Sequence, residues 1–499
     1  MTRRISRFCR FFPALPSALL FITPFLIPTC FAATSLETIQ TRISQYLKRP
    51  GIRSTHWGME VIDTADNQVL VSLNPDKPFT PASVLKVLTT SAALEKLGPD
   101  FRFRTGVYTN GRLLPDGTLA GDLYLVGRGD PNLTETSEDP AEKPAIRDLA
   151  GKLIALGIKR VEGNVIGDDS YFDTTGNGKG WTAHDLKSVY GAPICALSLN
   201  NNVVWISVWP ATRAKQLVSV GMEPRNSYYR IRNLGVTGSR RARRTAAVRL
   251  IRGTRTIVVS GVLPARQSIN RYVVMENPAE VAASVLKEEL RQNGVVVEGQ
   301  AGALHSGDMS PAARHALVLL AERESQPLIR ELEIINKQSQ NLHAEMLLRT
   351  LGAEFGGEGT EEAGLQIVRR FLVDAGIESQ QVSLGDGCGL SRENLVTPRF
   401  QTSLLKYIST RPYFGLFLGT LAVSGMDGTL KNRMTAQPMR GVIFAKTGTL
   451  NGVSTLSGYM TTKSGKQLIF SIFANDARTS ITRVRRTIDE ICSLFVNLY

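Results

Sequence analysis

The sequence predicts an α+β fold: an antiparallel sheet flanked by helices, with β-rich domains inserted into it. Three observations carry that prediction. Helical periodicity appears near both ends of the chain, and three consecutive strand-like runs precede the last helix. From about residue 104 to 307 the texture changes to short β-like runs separated by glycine turns.

Taken in order, Leu36, Ile39, Ile43 and Leu47 recur at helical spacing and predict a first amphipathic helix. His56 to Asp63 and Gln68 to Asn74 read as a strand pair around a turn at Asp63 to Asn67. A second helix begins near Ser83, places Leu85, Leu88, Ala92 and Leu97 on its apolar side, and stops at Gly98-Pro99. The inserted region carries strand-like runs at Thr118 to Val126, Val203 to Val208, Ala247 to Ile251 and Thr256 to Val262. Its basic run, Ser239-Arg240-Arg241-Ala242-Arg243-Arg244, reads as a solvated hairpin tip in preference to a dedicated polyanion site. Helical periodicity returns at Ile329 to Leu351 and at Gly364 to Asp374. Gly441 to Leu450, Ser454 to Met460 and Gln467 to Phe473 follow as strands, and Arg478 to Leu498 as a closing helix. The expected division is a leader over 1–32, a main domain from 33–103 plus 308–499, an inserted domain from 104–198 plus 273–307, and a small β domain over 199–272 nested in the insertion.

The chain has 499 residues, 42% of them hydrophobic and 21% charged, enough for a large core and two or three domains. Its 44 Gly and 23 Pro are dispersed, and no repeat or low-complexity block stands out. At the N-terminus, Arg3, Arg4, Arg7 and Arg10 precede an apolar stretch and then Ala32 and Ala33, the order of a secretory signal peptide cleaved near Ala32. Three prolines interrupt the apolar stretch, which argues against a membrane anchor, and Pro28-Thr29 is poor context for a lipidated Cys30. Of five cysteines, at 9, 30, 195, 388 and 492, processing would leave three: no disulfide framework, with one bridge left open. The formal charge is +15. A basic exported chain suits an anionic partner such as wall polymer or a membrane surface, and export separates it from nucleic acid.

Three short motifs occur in order: Ser83-Val84-Leu85-Lys86, Ser339-Gln340-Asn341 and Lys446-Thr447-Gly448. Each alone is weak. Ser83 by itself is a polar residue opening an apolar helix. Order and context raise the signal, since the first motif opens a helix, the second sits at the edge of a helical segment and the third lies on a strand. A serine hydroxyl is a poor nucleophile until a base takes its proton, and residues three apart on a helix share a face. Lys86 is thus placed to serve Ser83, provided burial or a neighbouring cation lowers its pKa from the usual 10.4 or so. Lys446 can supply that cation, or hold a substrate's terminal carboxylate together with Thr447 and Thr449. Gly448 leaves room for a ligand along the strand. Backbone N–H groups of Ser83 and Thr449 can form an oxyanion hole. Ser339 can relay a proton to the leaving amine, and Asn341 can orient Lys86 or the substrate amide.

The set resembles the signature shared by penicillin-binding proteins and serine β-lactamases. Within that group the chain looks like the low-molecular-mass class C penicillin-binding proteins, the D-alanyl-D-alanine carboxypeptidase/endopeptidase family. The interval of 256 residues between Ser83 and Ser339 matches the family's interrupted catalytic domain. Further stretches that look like family landmarks include Gly191-Ala192-Pro193, Asp386-Gly387-Cys388-Gly389-Leu390 and Gly425-Met426-Asp427-Gly428-Thr429. Two departures are visible: Gln340 where the family often has Asp, and Cys388 where it often has Ser. The resemblance implies a periplasmic serine peptidase that needs no cofactor or metal, acts on peptidoglycan stem peptides through an acyl-enzyme on Ser83, and takes β-lactams as covalent inhibitors. It also implies that Asp168 and Phe172 touch a diamino-acid side chain of the substrate; the plainer reading of Asp168 is a loop-capping carboxylate.

Rival chemistries fit poorly. The five histidines form no His-Glu-x-x-His, and Ser83 sits in no Gly-x-Ser-x-Gly elbow. A β-lactamase is the nearest alternative, against which the long insertion argues. A non-catalytic wall-binding protein is the alternative from another class, against which the three intact motifs argue.

Overall fold

A computed structural model describes residues 36–135 and 143–499. The expected leader and its cleavage site lie outside the described residues. The main body is a six-stranded antiparallel sheet. Its order runs Ala422–Val423, Ile443–Leu450, Val453–Thr461, Gln467–Asn475, His56–Asp63 and Val69–Leu73, so N- and C-terminal segments share one sheet.

Both faces are covered. Val453–Thr461 and Gln467–Asn475 are buried almost throughout, as strands become when helices pack on either side. On one face the helices Leu36–Leu47 and Ile481–Leu498 bring Ile39, Ile43, Ile488 and Phe495 against Met59, Leu456 and Ile472. On the other, Lys86–Leu97, Asn341–Gly356, Glu361–Asp374 and Pro398–Ser409 bury Leu88, Leu347, Phe371 and Leu404 against Phe473. Each such aliphatic or aromatic side chain contributes roughly 1.5–3 kcal/mol of burial. The ends of two of these helices are set by their sequence: Thr360 and Thr397 cap their first turns through Ala363 and Phe400 N–H groups, and Pro398 occupies a first-turn position where no N–H is needed.

The inserted region is less purely β than expected. It contains the helices Ala145–Ala155 and Pro278–Gln292, which pack against a five-stranded sheet through Leu149, Leu153, Ala282 and Leu286. Their apolar residues recur at helical spacing, but glycine-rich neighbours dominate the local texture. The five-stranded sheet also takes in Val318–Glu324, paired antiparallel with Arg104–Thr109. The inserted fold thus continues beyond 308, the expected point of return. Strands between 203 and 274 form two small three-stranded sheets. The run Ser239 to Arg244 is exposed but is no hairpin tip. It connects Arg230–Gly238 to Ala247–Ile251, which lie on opposite sides of Thr256–Pro264 and do not pair with each other.

Candidate active site

Ser83 lies on a single 3-10 turn, Ala82–Leu85, and Lys86 is the first residue of the α-helix that continues it. Ala82 takes φ 49° and is fully buried, a costly conformation for a residue with a Cβ that the surroundings must enforce. Those surroundings are Gly448 and Gly389. A Cβ at Gly448 would lie 2.1 Å from Thr455 Oγ1 and 2.7 Å from the Pro81 carbonyl; one at Gly389 would lie 1.9 Å from the Ala82 carbonyl. Gly448 is therefore required for the strand to pack against the Ser83 turn, a different reason from the ligand clearance expected of it.

The Lys86 side chain is fully buried and reaches three oxygens: Cys388 O at 2.6 Å, Asn341 Oδ1 at 2.7 Å and Ser83 Oγ at 3.0 Å. Burial drives its pKa below the usual lysine value, opposed by the charge or polarity of Cys388, Asp386 and Glu345. Lys446, also fully buried, donates to Ser339 Oγ at 2.9 Å and to the Thr447 carbonyl at 2.9 Å. Its pKa lies well below the usual value because of burial and then the nearby charge of Lys86.

Ser339 and Asn341 come from a break between two helical segments. A π-helical turn, Ile334–Gln338, ends at Ser339 in left-handed geometry (φ 64°), and Asn341 opens the next helix. Strained backbone and π-turns concentrate where side chains must be aimed. Asn341 also donates to the Tyr190 carbonyl at 3.1 Å, and two residues on, His343 lies 2.7 Å from Glu331 and 2.6 Å from Asn201. The inserted region thereby braces the helix that carries Asn341.

The loop holding Cys388 is fixed by Asp386, which accepts from the N–H groups of Gly389 and Ser391 and from the side chains of Trp181 and Asn394. Cys388 itself is buried and unpaired, as are Cys195 and Cys492. Its thiol pKa is pushed up by burial. Beneath the loop, Glu345 accepts from Gly387 N–H and faces the buried Arg349, whose guanidinium also faces Asp173 and Glu361. One cation cannot neutralise this many carboxylates. Burial and the Asp386 charge push Glu345 up to about 8.

These groups open onto a cleft of roughly 670 Å³. Ser83, Ser339, Asn341, Thr447 and Thr449 line it, as does Asp185, while the lysines lie beneath. The strand Ile443–Leu450 pairs on its outer side only over its first residues, Ile443 to Ala445, so from Lys446 onward that edge is unpaired among the described residues.

Asp168 and Phe172 are not among the residues lining the cleft. Asp168 is fully buried, bonded to Arg314 at 2.7 Å and capping Ser170 N–H at 2.9 Å. Phe172 packs with Ile194, Ala196, Leu342 and Met346 behind the helix that carries Asn341. Asp168 is thus held as a loop-capping carboxylate outside the cleft that Ser83 lines. Cleft residues missing from the sequence expectation include Asp185, Thr429, Arg433 and Arg485. Arg485 donates to Thr449 Oγ1 at 2.9 Å, Arg433 is paired with Asp489, and Thr429 accepts from Thr447 Oγ1 at 2.8 Å. Thr429 closes a stretch already singled out; Asp185 and Arg485 carry no local pattern.

A helix-flanked antiparallel sheet that brings a Ser-x-x-Lys turn, a Ser-x-Asn turn and a Lys-Thr-Gly strand around one cleft defines the penicillin-binding class of serine enzymes. The crystal structure of penicillin binding protein 4 from Haemophilus influenzae superposes with a TM-score of 0.77 at 25% identity, over 91% of this chain and 99% of that one. In sequence, a D-alanyl-D-alanine carboxypeptidase of Actinomadura is 34% identical over 93% of this chain and 85% of its own length. The D-alanyl-D-alanine carboxypeptidase DacB of Haemophilus influenzae is 28% identical over 83% and 84%. The family model described as D-Ala-D-Ala carboxypeptidase 3 (S13) matches residues 39–494, and the chain belongs to that family. It is a serine-type D-alanyl-D-alanine carboxypeptidase.

Proposed function

We propose that Ser83 is the nucleophile, Lys86 its general base, Ser339 with Lys446 the proton relay, and the unpaired edge from Lys446 onward the strand on which a peptidoglycan stem peptide lies. The observation that carries this reading is the bonding of Lys86. A neutral amine has two N–H bonds and one lone pair. Its two shortest contacts, Cys388 O and Asn341 Oδ1, are acceptors with no proton to give, so the lone pair is left for the Ser83 hydroxyl.

Ser83 Oγ then attacks the carbonyl of the penultimate D-alanine while Lys86 takes its proton. Backbone N–H groups of Ser83 and Thr449 stabilise the oxyanion, a contribution of about 3 kcal/mol per donor in comparable enzymes. Collapse releases the leaving amine, protonated through Ser339, and water hydrolyses the ester. If the leaving amine belongs to free D-alanine the reaction is a carboxypeptidase step; if it belongs to a cross-linked stem, an endopeptidase step. β-Lactams would acylate Ser83 in the same way.

Lys446 is buried and committed to Ser339, so the substrate's terminal carboxylate is assigned to Thr447, Thr449 and Arg485. Asp185, held by Thr182 through one oxygen, is the cleft carboxylate suited to a free amino group on the substrate, the role first expected of Asp168. Peptidoglycan lies outside the cytoplasm, which accords with the expected leader and a periplasmic site, and no helix among the described residues is long and apolar enough to cross a membrane.

The test is release of D-alanine from a pentapeptide ending in D-Ala-D-Ala and cleavage of cross-linked muropeptides. Either activity, lost in Ser83→Ala, supports the proposal. Absence of both in protein that still forms a penicillin adduct would sink it, and rapid turnover of the adduct would favour a lactamase.

A further inference from the structure

The positive charge of the chain is concentrated in one small part of it. Between residues 199 and 272 there are fourteen Lys and Arg and a single acidic residue, Glu223, and from residue 33 onward the remainder is close to neutral. All fourteen are exposed. Among the described residues only Arg255 has an ion-pair partner, Glu280.

The outer sheet of this region arranges part of that charge on one face. In the register of its three strands, Arg232 and Arg249 both stand opposite Val258, Arg230 and Ile251 opposite Thr256, and Leu234 opposite Ser260. Residues in register share a face, and the alternate set, Ile257 and Val259, is buried. The outward face therefore presents Arg230, Arg232 and Arg249 together with Leu234 and Ile251, which are 50% and 45% exposed. The exposed arginines of the 239–244 connection leave from one end of the same sheet.

A surface kept only for solubility mixes both signs, because unbalanced like charges repel. This one has no acidic counterpart, and two large aliphatic side chains stand among its arginines. A phosphate polymer would account for the cations alone. Cations interleaved with aliphatic groups match an anionic bilayer, where arginine meets the headgroups and apolar side chains enter the interface. We propose that this face docks the protein peripherally on an anionic phospholipid membrane surface.

Co-sedimentation of the full mature chain with vesicles tests this. Binding to an equal mixture of phosphatidylglycerol and phosphatidylcholine should exceed binding to phosphatidylcholine alone by at least about tenfold and should fall steeply with salt. Arg230→Glu, Arg232→Glu and Arg249→Glu combined should abolish it while penicillin labelling of Ser83 is unchanged, which separates this surface from the catalytic reading. Leu234→Ser with Ile251→Ser should weaken it several-fold at constant charge. No preference for anionic vesicles, full binding by the triple variant, or binding to soluble polyphosphate with none to vesicles would each overturn the proposal.

Discussion

The Lys86 amine donates to the backbone carbonyl of Cys388 at 2.6 Å, so the loop serves the lysine through its main chain and not through the side chain at 388. That relationship explains why a cysteine is admissible one contact away from the nucleophile. Cys388→Ser should leave penicillin acylation within about threefold of the parent, because the carbonyl and the Asp386 bonds that place it persist. The native thiol, buried and with its pKa raised, should resist iodoacetamide until the protein is unfolded. Rapid native-state alkylation, or a large loss of acylation in the serine variant, would show that the side chain matters.

Gly448→Ala should be far more damaging than its place near the edge of the sheet suggests. The added carbon would meet Thr455 Oγ1 and the Pro81 carbonyl, which bond to each other at 2.8 Å, and would push the strand off the Ser83 turn. Overpacking of this kind costs about 1–3 kcal/mol of stability, and acylation should fall by at least about a hundredfold. Thermal unfolding and stopped-flow labelling read the two effects separately.

Both of those residues show what was legible in the sequence and what was not. The periodicity that located Leu36–Leu47 survives because one buried face imposes it, whereas the strand from His56 and the closing strands, buried almost throughout, were legible as short strand-like runs bounded by turns. The three motifs were readable because the chemistry needs a serine and a lysine one turn apart, and the structure brings all five side chains to one place. Asp185 and Arg485 were not readable, since each reaches the cleft only through tertiary packing of a loop in the insertion and of the last helix. Asp168 lies outside the cleft for the complementary reason. An Asp in a short polar stretch looks available, but Arg314, 146 residues away, already holds it.

Arg485→Ala should raise KM for peptides with a free terminal carboxylate by about tenfold or more, and should have little effect on a substrate amidated at that end. The lost interaction is charge-assisted and sits at the Thr449 hydroxyl. An equal loss for both substrates would assign the residue to holding the strand instead.

The pH dependence of acylation follows from the lowered pKa of Lys86. The base acts only when neutral, so the acylation rate should rise with pH and level off earlier than an ordinary lysine would allow. In Lys446→Ala the rise should stay where it is, since the Lys86 charge helps to drive Lys446 neutral first and burial is what lowers Lys86. A rise moved to higher pH in that variant would mean that a charged Lys446 sets the base.

Glu345 should make the fold sensitive to pH in the opposite direction. Its folded pKa of about 8 lies above the ordinary glutamate value of 4.5, so across that interval the folded state holds a proton the unfolded state has lost. Stability therefore falls as pH rises from about 4.5 to 8. Glu345→Gln keeps an acceptor for Gly387 N–H and has no proton to lose. Relative to the parent it should gain stability from pH 5 to 8, on the order of a few kcal/mol at most. A constant difference across that range would mean the carboxylate is ionised throughout.

The pairing of Ser83 with Lys86 is tested most directly by mass spectrometry of the mature protein after a brief exposure to penicillin, with the modified peptide sequenced. One adduct, on Ser83, should form in the parent, and should be absent in Ser83→Ala and slowed by at least about a thousandfold in Lys86→Met, with cooperative unfolding retained in both variants. An adduct on another residue, or acylation of Lys86→Met at the parent's rate, would contradict the assignment.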